Sequence, residues 1–383
     1  MSPLLGRSGS GSGGSGGSGG FDGRRWVARS IGGALGIAAA GTAIGIVRQQ
    51  HQISRRAGED LPFGSLHSAP ITVVADDGLP LYVEVDEMDP AESAGRRRFR
   101  APANEPDPVT VIFVHGFCLS LDSWHFQRAA YRGLVRTVFY DQRSHGRSGR
   151  SLREHATIDQ LGRDLKSVID VCAPDGPVVL VGHSMGGMTV VALAEQFPEL
   201  IGDKVIGVAL MSTTAGGLDP SRILLPMLPA RLTGKLTGHA VAALQRGHPA
   251  VDTARRVGRV IATVATNRFA FGGDVPASYV RFVDDMLAAT PFEVVAEFFP
   301  SLGGLDKFDF VEVLDRVPVS IICGTADRLT SIGHSRKLAS RIPNARLVEC
   351  AGAGHMVPLE RHDQVNAELD QLITAATMRA STR

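Results

Sequence analysis

Cysteine is scarce in this 383-residue chain: Cys118, Cys172, Cys323 and Cys350 are dispersed, without the spacing of a disulfide framework or a metal site. Such usage fits a reducing compartment, and only Cys323 and Cys350 fall where neighbouring strands could bring two thiols close. An excess of charge of one sign is also missing. With 40 Lys and Arg against 39 Asp and Glu the formal net charge is +1, which excludes the overall balance of a nucleic-acid binder. Neither a metal nor a cofactor is expected. Lysine is few beside arginine while alanine and glycine abound, a GC-rich bacterial coding bias with no mechanistic content. What remains is 44% hydrophobic over this length, enough for one large core with accessories.

Long apolar runs are equally few, and the one at the N-terminus is mediocre. After a Gly/Ser-rich low-complexity segment, 1–25, residues 26–48 read as a candidate membrane-spanning or membrane-associated helix. Ser30 to Val47 runs eighteen residues without a charge, near the minimum for a span. Gly32 with Gly36, and Gly41 with Gly45, have the small-xxx-small spacing of packed membrane helices, and Trp26 suits an interface. A docked helix of a soluble protein and a cleaved signal segment are the competing readings. Arg24, Arg25 and Arg29 balance Arg48, Arg55 and Arg56, so charge asymmetry assigns no orientation. The dispersed thiols favour a cytoplasmic main domain, tethered to the membrane by one N-terminal helix through a polar stretch, 49–68; the alternative is a soluble cytoplasmic protein.

Chemistry concentrates further on, where Val178 to Val181 break abruptly into Gly182, His183, Ser184, Met185, Gly186 and Gly187. A buried strand turning sharply into a helix holds the residue at the tip in strained geometry, and glycines on both sides let neighbouring backbone pass close by. Ser184 occupies that tip. The spelling G-x-S-x-G decides nothing by itself, since Ser15 and Ser18 satisfy it inside the run GSGGSGGSGG, a flexible linker. Context separates them: Ser184 has a strand before it and an apolar helix, Met185 to Phe197, after it.

A serine hydroxyl is a weak nucleophile near neutral pH and needs a base, an acid to orient the base, and donors for an oxyanion. Downstream, the strand Val319 to Cys323 leads into a turn with Asp327, and the strand Ala345 to Cys350 leads into AGAGHMVPLE with His355. The order Ser184, Asp327, His355 is one that a convergent class of triads uses. Upstream, Val109 to Val114 end in His115, Gly116 and Phe117, so the Phe117 N–H can join the Met185 N–H as an oxyanion pair. Asp219, after the strand Val205 to Met211, competes as the acid. His115 and His183 read as backbone supports, and Cys118 as a packed or pocket-lining thiol.

At this point VHGF, YDQRSHGRS, GHSMGG, GTAD and AGAGHMV, in this order from Ile71 to the C-terminal helix, resemble the α/β-hydrolase family. Within it, the chain resembles serine-nucleophile, esterase- or lipase-like members with a helical cap. Ser144 stands where the family usually has glycine. The resemblance implies an α/β fold with a mostly parallel central sheet flanked by helices and a helical cap inserted after the sixth strand. It also implies Ser184 as nucleophile, His355 as general base then acid, Asp327 as orienting acid, and Phe117 and Met185 as backbone oxyanion donors. A first core part, 69–212, a cap, 213–304, and a second core part, 305–378, follow.

Serine at the elbow points to acyl transfer, whereas the aspartate of dehalogenases and epoxide hydrolases of this fold forms an alkyl ester. The expected activity is cleavage of a carboxylic ester on a small-molecule or lipid-like, moderately apolar substrate near a membrane. Thioesterase, amidase, C–C bond hydrolase, acyltransferase and cofactor-free perhydrolase chemistry share the triad, and a non-catalytic ligand-binding homologue shares the fold. Between Thr213 and Gly304 the apolar stretches Arg222 to Leu232, Thr253 to Thr266, Ala277 to Ala289 and Phe292 to Leu302 read as cap helices. Phe269, Phe271, Phe298 and Phe299, with Met227 and Leu228, suit either the cap's own core or an acyl pocket.

Overall fold

Strands buried on both faces need apolar residues at every position rather than at alternate ones, and Val111 to Val114, Val178 to Val181 and Val205 to Met211 supply that, Gly207 apart. In the computed structural model, which describes residues 61–89, 108–218 and 266–382 together with Gln49, Gln52 and Ile53, these segments form the centre of one sheet. Its strands are β1 (Pro70–Val74), β2 (Pro80–Asp86), β3 (Thr110–Val114), β4 (Arg136–Tyr140), β5 (Val178–His183), β6 (Val205–Met211), β7 (Val319–Gly324) and β8 (Arg346–Cys350), in the spatial order β1-β2-β4-β3-β5-β6-β7-β8. Only β2 runs against the rest. The fold is an α/β-hydrolase fold.

Pleating sends successive side chains to opposite faces, so each strand feeds two cores. Ile112, Val114 and Leu180 meet Leu165, Val168 and Ile169 of α2 (Ile158–Cys172) and Val190, Val191 and Leu193 of α3 (Met185–Gln196). On the other face Val111, Phe113, Val179 and Val181 meet Tyr131 of α1 (His125–Tyr131) and Leu369, Leu372 and Ile373 of the C-terminal helix. Thr157 starts α2 by accepting a 3.1 Å bond from Gln160 N–H, an N-cap that satisfies one of the orphan donors of the first turn. The same pleat answers the cysteine question. Cys323 and Cys350 do lie on neighbouring strands, but Cys323 pairs with Glu349 and Gly324 with Cys350, so the two thiols point to opposite faces. All four cysteines are free and buried.

Between β6 and β7 the described part of the cap holds a helical turn over 266–270 and two helices, α4 (Ala277–Ala289) and α5 (Phe292–Gly303). After β7 come α6 (Ile332–Arg341), β8, the short α7 (Val357–Glu360) and α8 (His362–Ser381). Two expected cap helices, Arg222 to Leu232 and most of Thr253 to Thr266, lie outside the described residues, as do Asp219, Met227, Leu228, the segment 1–25 and the candidate span 26–48. Among the described residues no helix is long and apolar enough to cross a membrane. The described end of the polar stretch is docked rather than free. Phe63 stacks on Phe282 of α4 at 4.5 Å, and Ser68 N–H donates to Glu84 of β2 at 2.9 Å.

Candidate active site

Because β3, β4, β5 and β6 are parallel, the loops that leave them emerge at one edge of the sheet. Four non-glycine residues have a left-handed φ among the described residues, and each follows one of these strands: Cys118 at 57°, Ser144 at 64°, Ser184 at 52° and Ser212 at 43°. A side chain in that region costs about 1–3 kcal/mol and persists only where the surroundings over-determine it. The elbow shows how. A Cβ added to Gly182 would stand 2.5 Å from Gly186 O, and one added to Gly186 would stand 2.0 Å from Val114 O. Without side chains there, α3 packs directly on the ends of β3 and β5, and Ser184 is left at its head with φ 52° and ψ −118°.

Helix geometry fixes what lies in front of that serine. Ser184 O accepts from Gly187 N–H at 2.9 Å and Met188 N–H at 3.2 Å, while Met185 N–H, at the first helical position, has no intrahelical partner. The loop after β3 lies against the elbow, since a Cβ on Gly116 would come 3.2 Å from Ser184 Cβ and 2.9 Å from His183 Nδ1. Phe117 is the next residue. Met185 and Phe117 also touch the apolar layer under the cap, with Met188, Val294, Phe298 and Leu302.

Asp327 and His355, from two different loops, meet each other. His355 Nδ1–H donates to Asp327 Oδ2 at 2.9 Å, and both groups are buried. Asp327 Oδ1 accepts from Leu329 N–H at 2.8 Å and Thr330 N–H at 3.0 Å, and Thr330 Oγ1 donates to Oδ2 at 3.0 Å. Burial alone would raise this carboxyl, but His355 and these donors hold it below its ordinary value. A carboxylate anchored on three sides fixes the ring it faces.

Two further histidines are supports, for a reason visible in their partners. His115 Nδ1–H donates to Gly116 O at 2.8 Å and its Nε2 accepts from Gln142 N–H at 2.9 Å. His183 Nε2–H donates to His355 O at 2.9 Å, tying the elbow to the His355 loop. Burial pushes both imidazoles down to about 3, so they stay neutral and hold backbone in place. Burial pushes the Cys118 thiol up to about 12, and the thiol form is a poor nucleophile. Ser144 keeps its strained φ through its own hydroxyl, which accepts from Ser151 N–H at 2.9 Å and Arg150 at 3.2 Å.

Three contributors carry no motif of their own. Thr213 Oγ1 donates to Ser184 O at 2.6 Å, Thr330 braces Asp327, and Glu360 accepts from Gly354 N–H at 2.6 Å, one residue before His355. The sequence signal for Glu360 is its place five residues after His355. Phe271 and Phe298 are buried in the described cap and its seam with the core. Among the described residues no group of three or more His, Cys, Asp or Glu is placed to hold a metal ion.

With this geometry in hand, comparison with known proteins is informative. The model of the alpha/beta hydrolase family matches residues 111–368. An uncharacterized protein of Mycobacterium tuberculosis is 28% identical over 271 residues, 68% of this chain and 73% of that one. A putative carbamate hydrolase of Caulobacter is 28% identical over 270 residues, 68% of this chain and 89% of that one. Among solved structures, the enol-lactonase of Burkholderia xenovorans superposes with a TM-score of 0.55 at 23% identity, covering 79% of this chain and all of that one.

Proposed function

The chain belongs to the alpha/beta hydrolase family, and from that premise we propose that it cleaves carboxylic esters through an acyl-enzyme on Ser184. Ser184 Oγ attacks the carbonyl carbon as its proton passes to His355, and the resulting oxyanion accepts from Phe117 and Met185 N–H. As the bond to the leaving oxygen breaks, His355 returns the proton to it. Water then adds to the acyl carbon, giving its proton to His355, and collapse frees the acid while the proton returns to Ser184. The observation that carries this reading is the strained Ser184 at φ 52° and ψ −118°, one residue from the His183 that bonds the backbone of His355. An apolar layer of Val294, Phe298 and Leu302 against Met185 and Phe117 favours a moderately apolar acyl group.

Treatment with a fluorophosphonate probe tests the assignment: the adduct is expected on Ser184, and Ser184→Ala is expected to abolish both labelling and turnover of short aryl esters. Folded protein that stays unlabelled would sink the reading. A carbamate carbonyl is the second reading, supported by likeness to the Caulobacter protein, and parallel assays of an aryl carbamate and an aryl ester rank the two. Action near a membrane rests on the run Ser30 to Val47 alone. Fractionation of the full chain against a version starting at Ser65 decides it, since equal partitioning of both would remove the anchor.

A further inference from the structure

The loops of Asp327 and His355 both grip one segment of the cap. The guanidinium of Arg328, next to Asp327, donates to Arg268 O at 2.6 Å. Met356, next to His355, donates its N–H to Ala270 O at 2.8 Å. Contact is closest at Gly272 and Gly354: a Cβ on Gly272 would stand 2.2 Å from Gly352 O, and one on Gly354 would stand 2.4 Å from Gly272 N. No side chain fits between these two strands of backbone. Their N–H groups converge on a single acceptor. Glu360 Oε1 takes Gly354 N–H at 2.6 Å, and Gly272 N–H is shared between Oε2 at 3.0 Å and Oε1 at 3.3 Å.

A carboxylate has two acceptor oxygens and can satisfy donors on both sides, whereas an amide offers one acceptor and turns an N–H toward the other donor. Charge-assisted bonds of this kind are roughly twice as strong as neutral ones. We propose that Glu360 is a positioning residue that latches the cap segment Arg268 to Gly273 onto the His355 loop, so that the base is aligned for Ser184 only while the cap is seated. The proposal rests on the triad reading above. It assigns Glu360 no contact with substrate. Displacing a catalytic group by about 1 Å is enough to lower a rate about a hundredfold, and the latch, with the Met356 N–H bond to Ala270 O beside it, links the cap to the backbone on both sides of His355.

The test uses Glu360→Ala, Glu360→Gln and, as a wedge that leaves the carboxylate intact, Gly272→Ala in the full chain. Fluorophosphonate titration counts competent sites, and short aryl ester hydrolysis is expressed per titrated site. All three variants are expected to lose about ten- to a hundredfold in kcat with KM within about twofold, since a short ester does not lean on the cap. Hydrogen exchange of Glu360→Ala is expected to speed up together in 268–273 and 351–356. Unchanged kcat per site, a loss only in the fraction of competent sites, or exchange that rises in one segment alone would each overturn the latch. Glu360→Gln behaving like wild type would overturn the need for a carboxylate. Wild-type protein with neither label nor turnover would instead defeat the triad reading, and the exchange measurement would then judge the latch by itself.

Discussion

The faces of the sheet and its carboxyl edge are made by the same strands under opposite rules. On the faces, β3, β5 and β6 present buried apolar side chains to two helical layers, with one register shift between Val178 and Val179 where β5 pairs β6. At the edge, four residues hold a left-handed φ without being glycine, and His115, His145 and His183 are buried as neutral rings. The faces release free energy and the edge consumes it. What the difference teaches is that a strained elbow needs a large, regular core to hold it.

Paired substitutions break this comparison most sharply. Ser184→Gly removes the hydroxyl and relieves the backbone, so ester turnover is expected to fall by at least about a thousandfold while thermal stability rises by about 1 kcal/mol. On the face, Phe113→Ala removes a fully buried ring that stacks on Phe139 at 4.8 Å. It is expected to cost about 3–5 kcal/mol and leave kcat per titrated site within about twofold. An elbow variant that is less stable than wild type, or a face variant with a lowered kcat per site, would dissolve the distinction.

Acid sharpens it at a smaller scale. Burial holds His115 and His183 down to about 3 and His145 down to about 4, against an ordinary value of 6.5. The unfolded chain therefore binds more protons below that value, and stability is expected to fall as pH drops from 6.5 toward 4, by up to about 1.4 kcal/mol per pH unit for each ring. Asp141, raised by burial to about 6, works in the opposite direction below its own pKa, as do Asp122, Asp164 and Glu360, which burial also raises, while His125, lowered by burial, adds to the three rings. Urea midpoints at about pH 7 and about pH 4.5 check the sign; a midpoint that holds or rises in acid would show that the raised carboxyls outweigh the edge histidines and would overturn this expectation.

How far the site is legible without coordinates follows from what each residue contributes. Strands such as Val205 to Met211 are legible because burial on both faces leaves no freedom of residue type, and the order of Ser184, Asp327 and His355 is legible because each stands just past such a strand. Ser144 is visible as a departure from the family pattern, yet its consequence, a left-handed φ held by bonds from Ser151 and Arg150, depends on partners brought in by the turn. Glu360 is invisible as a latch. A glutamate after a proline on a short helix has no pattern of its own, and the Gly272 it bonds lies 88 residues earlier in the chain. Likewise Phe63 reads as part of a polar tether until Phe282 and Tyr279 of α4 are found against it.

By itself, the sequence determines the alternation of apolar strands with helices, the position of the elbow and the residue types at the ends of β3, β5, β7 and β8, because periodicity and local backbone demands are properties of neighbours along the chain. Only the tertiary structure decides which histidine faces Asp327, which histidines are buried neutral, that Cys323 and Cys350 point apart, and that the cap and the His355 loop share one carboxylate. Those outcomes depend on desolvation and on hydrogen bonds between residues far apart in sequence, and neither exists until the sheet brings its edge loops together.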